Sequence, residues 1–192
     1  MSAAERNAIS PDVAALRALS HPTRLRILAH LRIEGPATAT TLATRFGINT
    51  GATSYHLRHL AHHGFVAEDS SLGNGRDRWW RASRTKTNTR GRREDLDAEL
   101  TVTDGYWQAL AALHNERMQA SINDRGLLPP AWRSASTISD WSFRLPPQRA
   151  EQAIEAVFAV LAALEDNEED TEAETVIFQF QAFPINAHLE FP

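Results

Sequence analysis

A chain of 192 residues with 42% hydrophobic content can bury one core of fair size or two small ones. It has no apolar run of about 18 residues to span a membrane, no basic and apolar leader of the signal-peptide kind, and no cysteine for a disulfide or thiolate sensor, so a cytoplasmic protein is expected. The net charge of -4 conceals a division: residues 1–93 hold 15 Lys or Arg against 6 Asp or Glu, and residues 94–192 hold 5 against 18. The basic half can neutralise DNA phosphates, and the acidic half is expected to stay off the duplex.

The first legible element is a helix opening at Leu19-Ser20-His21-Pro22-Thr23-Arg24, with Ser20 as cap and Pro22 in the first turn, where a missing N–H does no harm. Leu25, Ile27, Leu28 and Leu31 give it a buried side, and Gly35-Pro36 stops it. A second helix from Thr38 to Phe46 buries Leu42, Ala43 and Phe46 and turns at Gly47. The chain then passes through Ile48 and the N-cap Asn49 into a third helix. In Thr50-Gly51-Ala52-Thr53-Ser54-Tyr55-His56-Leu57-Arg58-His59-Leu60-Ala61-His62-His63-Gly64, the residues Thr53, His56, Leu57 and Leu60 share one side. Ser54, Tyr55, Arg58 and His62 share the other, so the helix can dock inward and present polar groups outward. Gly64 ends it. Phe65–Asp69 and Arg78–Ala82 read as strands around a Gly- and Asn-containing hairpin loop, residues 70–77.

Three motifs in this order, Leu19-Ser20-His21-Pro22-Thr23-Arg24-Leu25-Arg26-Ile27-Leu28, Thr53-Ser54-Tyr55-His56-Leu57-Arg58-His59-Leu60 and Gly64-Phe65-Val66 with the following hairpin, resemble the arsenical-resistance-repressor (ArsR) family of winged-helix transcription regulators. They cover about a third of the chain. The resemblance implies a homodimer that binds an imperfect palindrome in double-stranded DNA near a promoter, acting as a repressor that an effector, such as a small molecule, releases. The third helix would then enter the major groove, and the hairpin would be the wing.

Arg84 to Arg93 is polar and basic, and suits a linker that lies along the phosphate backbone. A long helix from about Asp95 to Asp124 follows. Leu96, Leu100, Trp107, Leu110, Ala111, Leu113, Met118 and Ile122 supply its apolar side, and Gly105 weakens its middle. The stripe can pair with a second subunit, as the resemblance implies, or pack within the monomer. After Leu127-Leu128-Pro129-Pro130, an alternating strand at Ile138–Leu145, a helix at Gln148–Leu164 and an alternating strand at Val176–Phe183 form a β-α-β module. Two strands and one helix make a poor core, so the module must lean on the long helix or a partner subunit, or hold a small molecule against its aromatic residues.

The fold class is therefore α+β. A winged helix-turn-helix spans residues 1–83, a basic linker 84–93, a long dimerisation helix 94–126 and an acidic β-α-β module 127–192. DNA contacts are expected from Thr50, Gly51, Ser54, Tyr55, Arg58, His59 and His62 of the third helix, and from Arg76 and Arg78 of the wing. His56 falls on the packing side, and His63 near DNA with His59 and His62. No metal site or other cofactor is expected. His59 and His63 have the i, i+4 spacing of a ligand pair, but the family's cysteine pair is missing, and Asp104, His114 and Glu116 depart from its other ligand pattern. Trp79 and Trp80 must face opposite sides of their strand. The acidic run at 165–174 lacks calcium-loop spacing. No Ser or His arrangement has a catalytic setting, so neither catalytic residues nor an enzyme is expected. The alternative to a DNA-binding regulator is a winged helix that binds an acidic protein partner.

Overall fold

A computed structural model describes residues 8–9, 11–72, 77–87, 100–165 and 170–185. The chain divides into two compact units, Met1–Leu127 and Leu128–Pro192.

The first unit begins with a short strand β1 (Ala8–Ile9) and a helix α1 (Val13–Leu19), whose N-cap Asp12 accepts a hydrogen bond from the Ala15 N–H at 2.8 Å. The sequence reading did not anticipate α1, because seven residues are too few to establish a helical period. Its Leu16 and Leu19 are nevertheless fully enclosed. Helix α2 (Pro22–Ile33) follows, capped by His21 rather than by the expected Ser20: His21 Nδ1 accepts from the Thr23 N–H at 3.2 Å. Ser20 instead closes α1, its N–H bonding back to Leu16 and Arg17. Only Ser20 and His21 separate the two helices; Ser20 keeps helical backbone as the C-cap of α1, and His21 holds the extended backbone that an N-cap requires.

Strand β2 (Ala37–Thr38), helix α3 (Ala39–Phe46), helix α4 (Thr50–His62) and strands β3 (Val66–Glu68) and β4 (Trp79–Ala82) complete the winged helix. The sheet order is β2-β4-β3, antiparallel throughout, with Ala37 opposite Trp80 and Val66 opposite Ala82. The two-residue β2, too short to read in sequence, ties the start of α3 to the wing. Trp80 enters the core and Trp79 stays half exposed, as neighbours on a strand must. Leu16, Leu19, Ile27, Leu28, Leu42, Leu57, Leu60 and Phe65 are the large residues most completely enclosed. Burial of each such side chain stabilises by about 1.5–3 kcal/mol.

Beyond the wing, β5 (Lys86–Thr87) pairs in parallel with β1. Arg32, half-buried, donates to the Arg84 carbonyl at 3.0 Å and to Thr87 Oγ1 at 2.9 Å, which fixes this return of the chain to α2. The remainder of the expected linker, residues 88–93, lies outside the described residues, as does the expected start of the long helix.

That helix, α5 (Leu100–Asp124), packs by Val102, Tyr106, Ala109 and Leu113 onto α1 and α2. Ser20 Oγ donates to the Val102 carbonyl at 3.3 Å, and Arg26 meets Glu116 at 3.1 Å. Gly105 sits at the close approach: a Cβ there would lie 3.4 Å from Ser20 Cβ and Oγ. The packing accounts for one side of α5. Leu100, Trp107, Ala111 and Ile122 lie on the opposite side and remain exposed.

In the second unit a short helix α6 (Pro130–Ala135) precedes α7 (Pro147–Ala162), which occupies the expected helical span. The segments 138–145 and 176–183, read as strands, join no sheet among the described residues. Their alternation is intact, but the unit encloses nothing: none of its described residues is buried, so no covering surface buries their apolar side chains and draws the two segments into register.

Candidate nucleic-acid interface

Helices α3 and α4 owe their mutual placement to two caps and two glycines. Thr38 Oγ1 accepts from the Thr41 N–H at 3.1 Å to start α3. Gly47, at φ 64°, turns the chain back, and Asn49 Oδ1 accepts from the Ala52 N–H at 2.7 Å to start α4. Gly51 leaves room for that cap, since a Cβ there would come within 3.3 Å of Asn49 Oδ1. At the far end Gly64 takes φ 74°, and the Phe65 N–H returns to the Leu60 carbonyl at 3.0 Å.

The inner side of α4 is Thr53, Leu57 and Leu60, all fully enclosed, with the Thr53 hydroxyl donating to the Asn49 carbonyl at 3.1 Å. The buried hydroxyl therefore has a partner, and the helix is seated without an unsatisfied group at that point. Thr50, Gly51, Tyr55, Arg58 and His62 face solvent, and Ser54 is half-buried beside them. Tyr55 retains 54% of its accessible surface, large for an aromatic residue with a core available beneath it. Arg58 Nε donates to the Ser54 carbonyl at 3.2 Å, which leaves the rest of its guanidinium open.

Arg78 rises from the wing toward the same region and pairs with Glu68 at 3.0 Å while 70% of its side chain stays exposed. Ser54 and Arg58 of α4, Thr38 and Thr40 at the start of α3, and Asp77, Arg78 and Trp80 of the wing line one cleft. The geometry thus gathers α4, the first turn of α3 and the β3–β4 hairpin around a common groove. Thr38 and Thr40 were missed as site residues. Their signal was the helix start itself, where exposed N–H groups and hydroxyls suit an anion. Arg76 lies outside the described residues.

The histidines sort differently from the outward face. His62 is exposed, but His59 and His63 are half-buried. The ring of His59 lies 5.2 Å from that of His63 and 6.1 Å from that of Tyr55, and the His56 ring lies 4.7 Å from His21. Nδ1 of both His56 and His59 is enclosed without a hydrogen-bond partner. Burial, reinforced by neighbouring cationic groups, lowers the pKa of His21, His56 and His63. For His21 the leading neighbour is Arg24, for His56 it is His21, and for His63 it is His59. These side chains are therefore held neutral near physiological pH. Among the described residues no group of three or more His, Cys, Asp or Glu is arranged to hold a metal ion. Glu116, one of the three carboxylate and histidine candidates on α5, is engaged by Arg26.

A family described as a helix-turn-helix domain matches residues 19–69, about a quarter of the chain, from the end of α1 through α4 and the whole of β3. No curated protein matches the chain. The chain therefore contains a helix-turn-helix domain, a module of DNA-binding regulators, and the match includes every α4 residue assigned to the outer face. No helix among the described residues is long and apolar enough to cross a membrane.

Proposed function

We propose that this chain is a sequence-specific transcription regulator of the ArsR type, a homodimeric repressor that reads a palindromic operator and acts in the cytoplasm without a metal ion or enzymatic activity. The observation that carries the reading is the common groove in which Ser54 and Arg58 of α4 meet Arg78 of the wing, on a helix that leaves Tyr55 and His62 outward. In that arrangement Thr50, Ser54, Tyr55, Arg58 and His62 read base edges in the major groove. Gly51 lets the duplex approach the helix start, Thr38 and Thr40 meet a backbone phosphate, and Arg76 and Arg78 supply charge from the wing. His59, half-buried, contributes from the edge of the helix.

The dimer is supported by the second side of α5. A helix whose inner face already packs on α1 and α2, and which still exposes Leu100, Trp107, Ala111 and Ile122 in one stripe, has an apolar surface suited to a counterpart helix. Two copies would place two recognition helices for two half-sites. Titration of the chain with a duplex carrying its own promoter tests the proposal. Affinity should fall steeply with salt and exceed that for a scrambled duplex by about a thousandfold or more. Equal affinity for both duplexes would overturn it.

A further inference from the structure

The second unit presents an excess of exposed aromatic surface that nothing within it covers. Trp141, Phe143 and Phe183 each leave about three quarters of their surface to solvent, and Phe178 leaves 61%. Phe158 of α7 meets Phe180 at 5.7 Å between ring centres, yet both remain more than a third exposed. A unit of this size that buries none of its described residues has no core of its own to oppose the entropy of ordering its chain.

We infer that this unit is completed by the same unit of a second copy, so that its hydrophobic core forms between subunits. Three observations favour a second copy over other occupants. Together the six aromatic residues leave roughly 700 Å² exposed per chain, taking about 200 Å² for a whole side chain, which is close to the ~800 Å² that each partner contributes to a standard interface. A small molecule would cover a fraction of that, and the residues are spread over three segments of chain. Two of the three segments are also nearly free of charge: segment 138–145 holds Asp140 and Arg144, and segment 176–185 holds no ionisable residue, while α7 carries Arg149, Glu151 and Glu155 on the turns before Phe158. Although the unit is acidic, seven of its carboxylates fall in residues 165–174, outside segments 138–145 and 176–185 in the sequence, so those two segments bring few like charges to their copies. The patch can face itself about a two-fold axis, since both copies bring the same apolar segments and the same deficit.

The inference rests on the homodimer proposed above, but it concerns a separate surface and can fail alone. Phe143 and Phe178 are solvent-facing within one chain, so Phe143→Glu with Phe178→Glu leaves the fold of the first unit intact, which binding to an isolated half-site verifies. Sedimentation of the full chain over a dilution series should show the dimer dissociation constant rising by about a hundredfold or more in this variant, because two carboxylates per subunit would enter an apolar interface. In the unsubstituted chain, the fluorescence that is lost in Trp141→Phe should shift to the blue as monomer becomes dimer. A dimer whose dissociation constant is unchanged by the double substitution, or whose Trp141 emission is indifferent to association, overturns this inference and leaves the α5 dimer standing. A chain that remains monomeric at about 0.1 mM, where even weak homodimers assemble, overturns both.

Discussion

The imidazole of His21 rests 4.7 Å from that of His56, so the residue that caps α2 leans directly on α4. One ring spends its Nδ1 lone pair on the Thr23 N–H, and the other has an enclosed Nδ1 with no partner, so neither has a place for a second proton. The seat of α4 on α2 is built for neutral histidine.

Stability should therefore decline as the medium becomes mildly acidic. His21, His56 and His63 all have pKa values below 6.5 in the folded chain. Above about 6.5 they are neutral both folded and unfolded and contribute no difference. Below it the unfolded chain takes up protons first and is favoured. The groups that face one another here are His21, Arg24, Tyr55, His59, His62 and His63, with Asp12 the acidic group opposing the trend at His63. Thermal unfolding from pH 7.5 to 5.5 should show a falling midpoint, and His56→Gln should flatten the slope. A midpoint that rises on acidification would contradict the neutral packing.

On the outer face, Arg58 and Arg78 should differ in kind. Arg58 has a guanidinium largely free for a bidentate contact to guanine, so Arg58→Ala should cost roughly 1–3 kcal/mol and relax preference at one base position. Arg78→Ala should weaken all sequences alike and reduce the salt slope by about 1. Because Glu68 already pairs with Arg78, Glu68→Gln should release that charge and strengthen binding at low salt. Competition titrations against a panel of single-base operator variants separate these outcomes.

The cap of α4 offers a third test. Asn49→Ala removes the acceptor of the Ala52 N–H and should destabilise the domain by about 1 kcal/mol, measured by denaturant unfolding. Gly51→Ala crowds the same oxygen and should cost part of that stability even though alanine favours helix.

The winged helix was legible because each of its three helices carries its own punctuation: Pro22, Thr38 and Asn49 at the starts, and Gly35, Gly47 and Gly64 after the ends. The outward face of α4 followed from period alone, with Thr53, Leu57 and Leu60 enclosed and Tyr55, Arg58 and His62 exposed. What escaped were features that tertiary contact decides. Strand β2 is two residues long and exists because Ala37 meets Trp80; His21 caps because Ser20 is taken by α1; and His59 is drawn inward by rings from neighbouring turns. The strands expected at 138–145 and 176–183 have the right pattern, but pattern produces a sheet only when a partner surface is present to bury one face.

Helix α5 yields the last test, since the proposed dimer gives its two sides separate duties. Val102, Tyr106, Ala109 and Leu113 hold it to α1 and α2, and Trp107, 61% exposed between Leu100 and Ala111 on the other side, has no part in that packing. Trp107→Glu should consequently leave the unfolding midpoint of the monomer near its original value while weakening association by about tenfold or more, because a charge would replace an aromatic anchor at the centre of the stripe. In the proposed dimer one subunit reads one half-site, so the loss should appear as much weaker binding to a full palindrome with little change on an isolated half-site. Val102→Asp on the inner side should do the reverse and unfold the first unit before it alters association. Full-palindrome affinity that survives Trp107→Glu unchanged would show that the stripe on α5 is not the surface joining the two subunits.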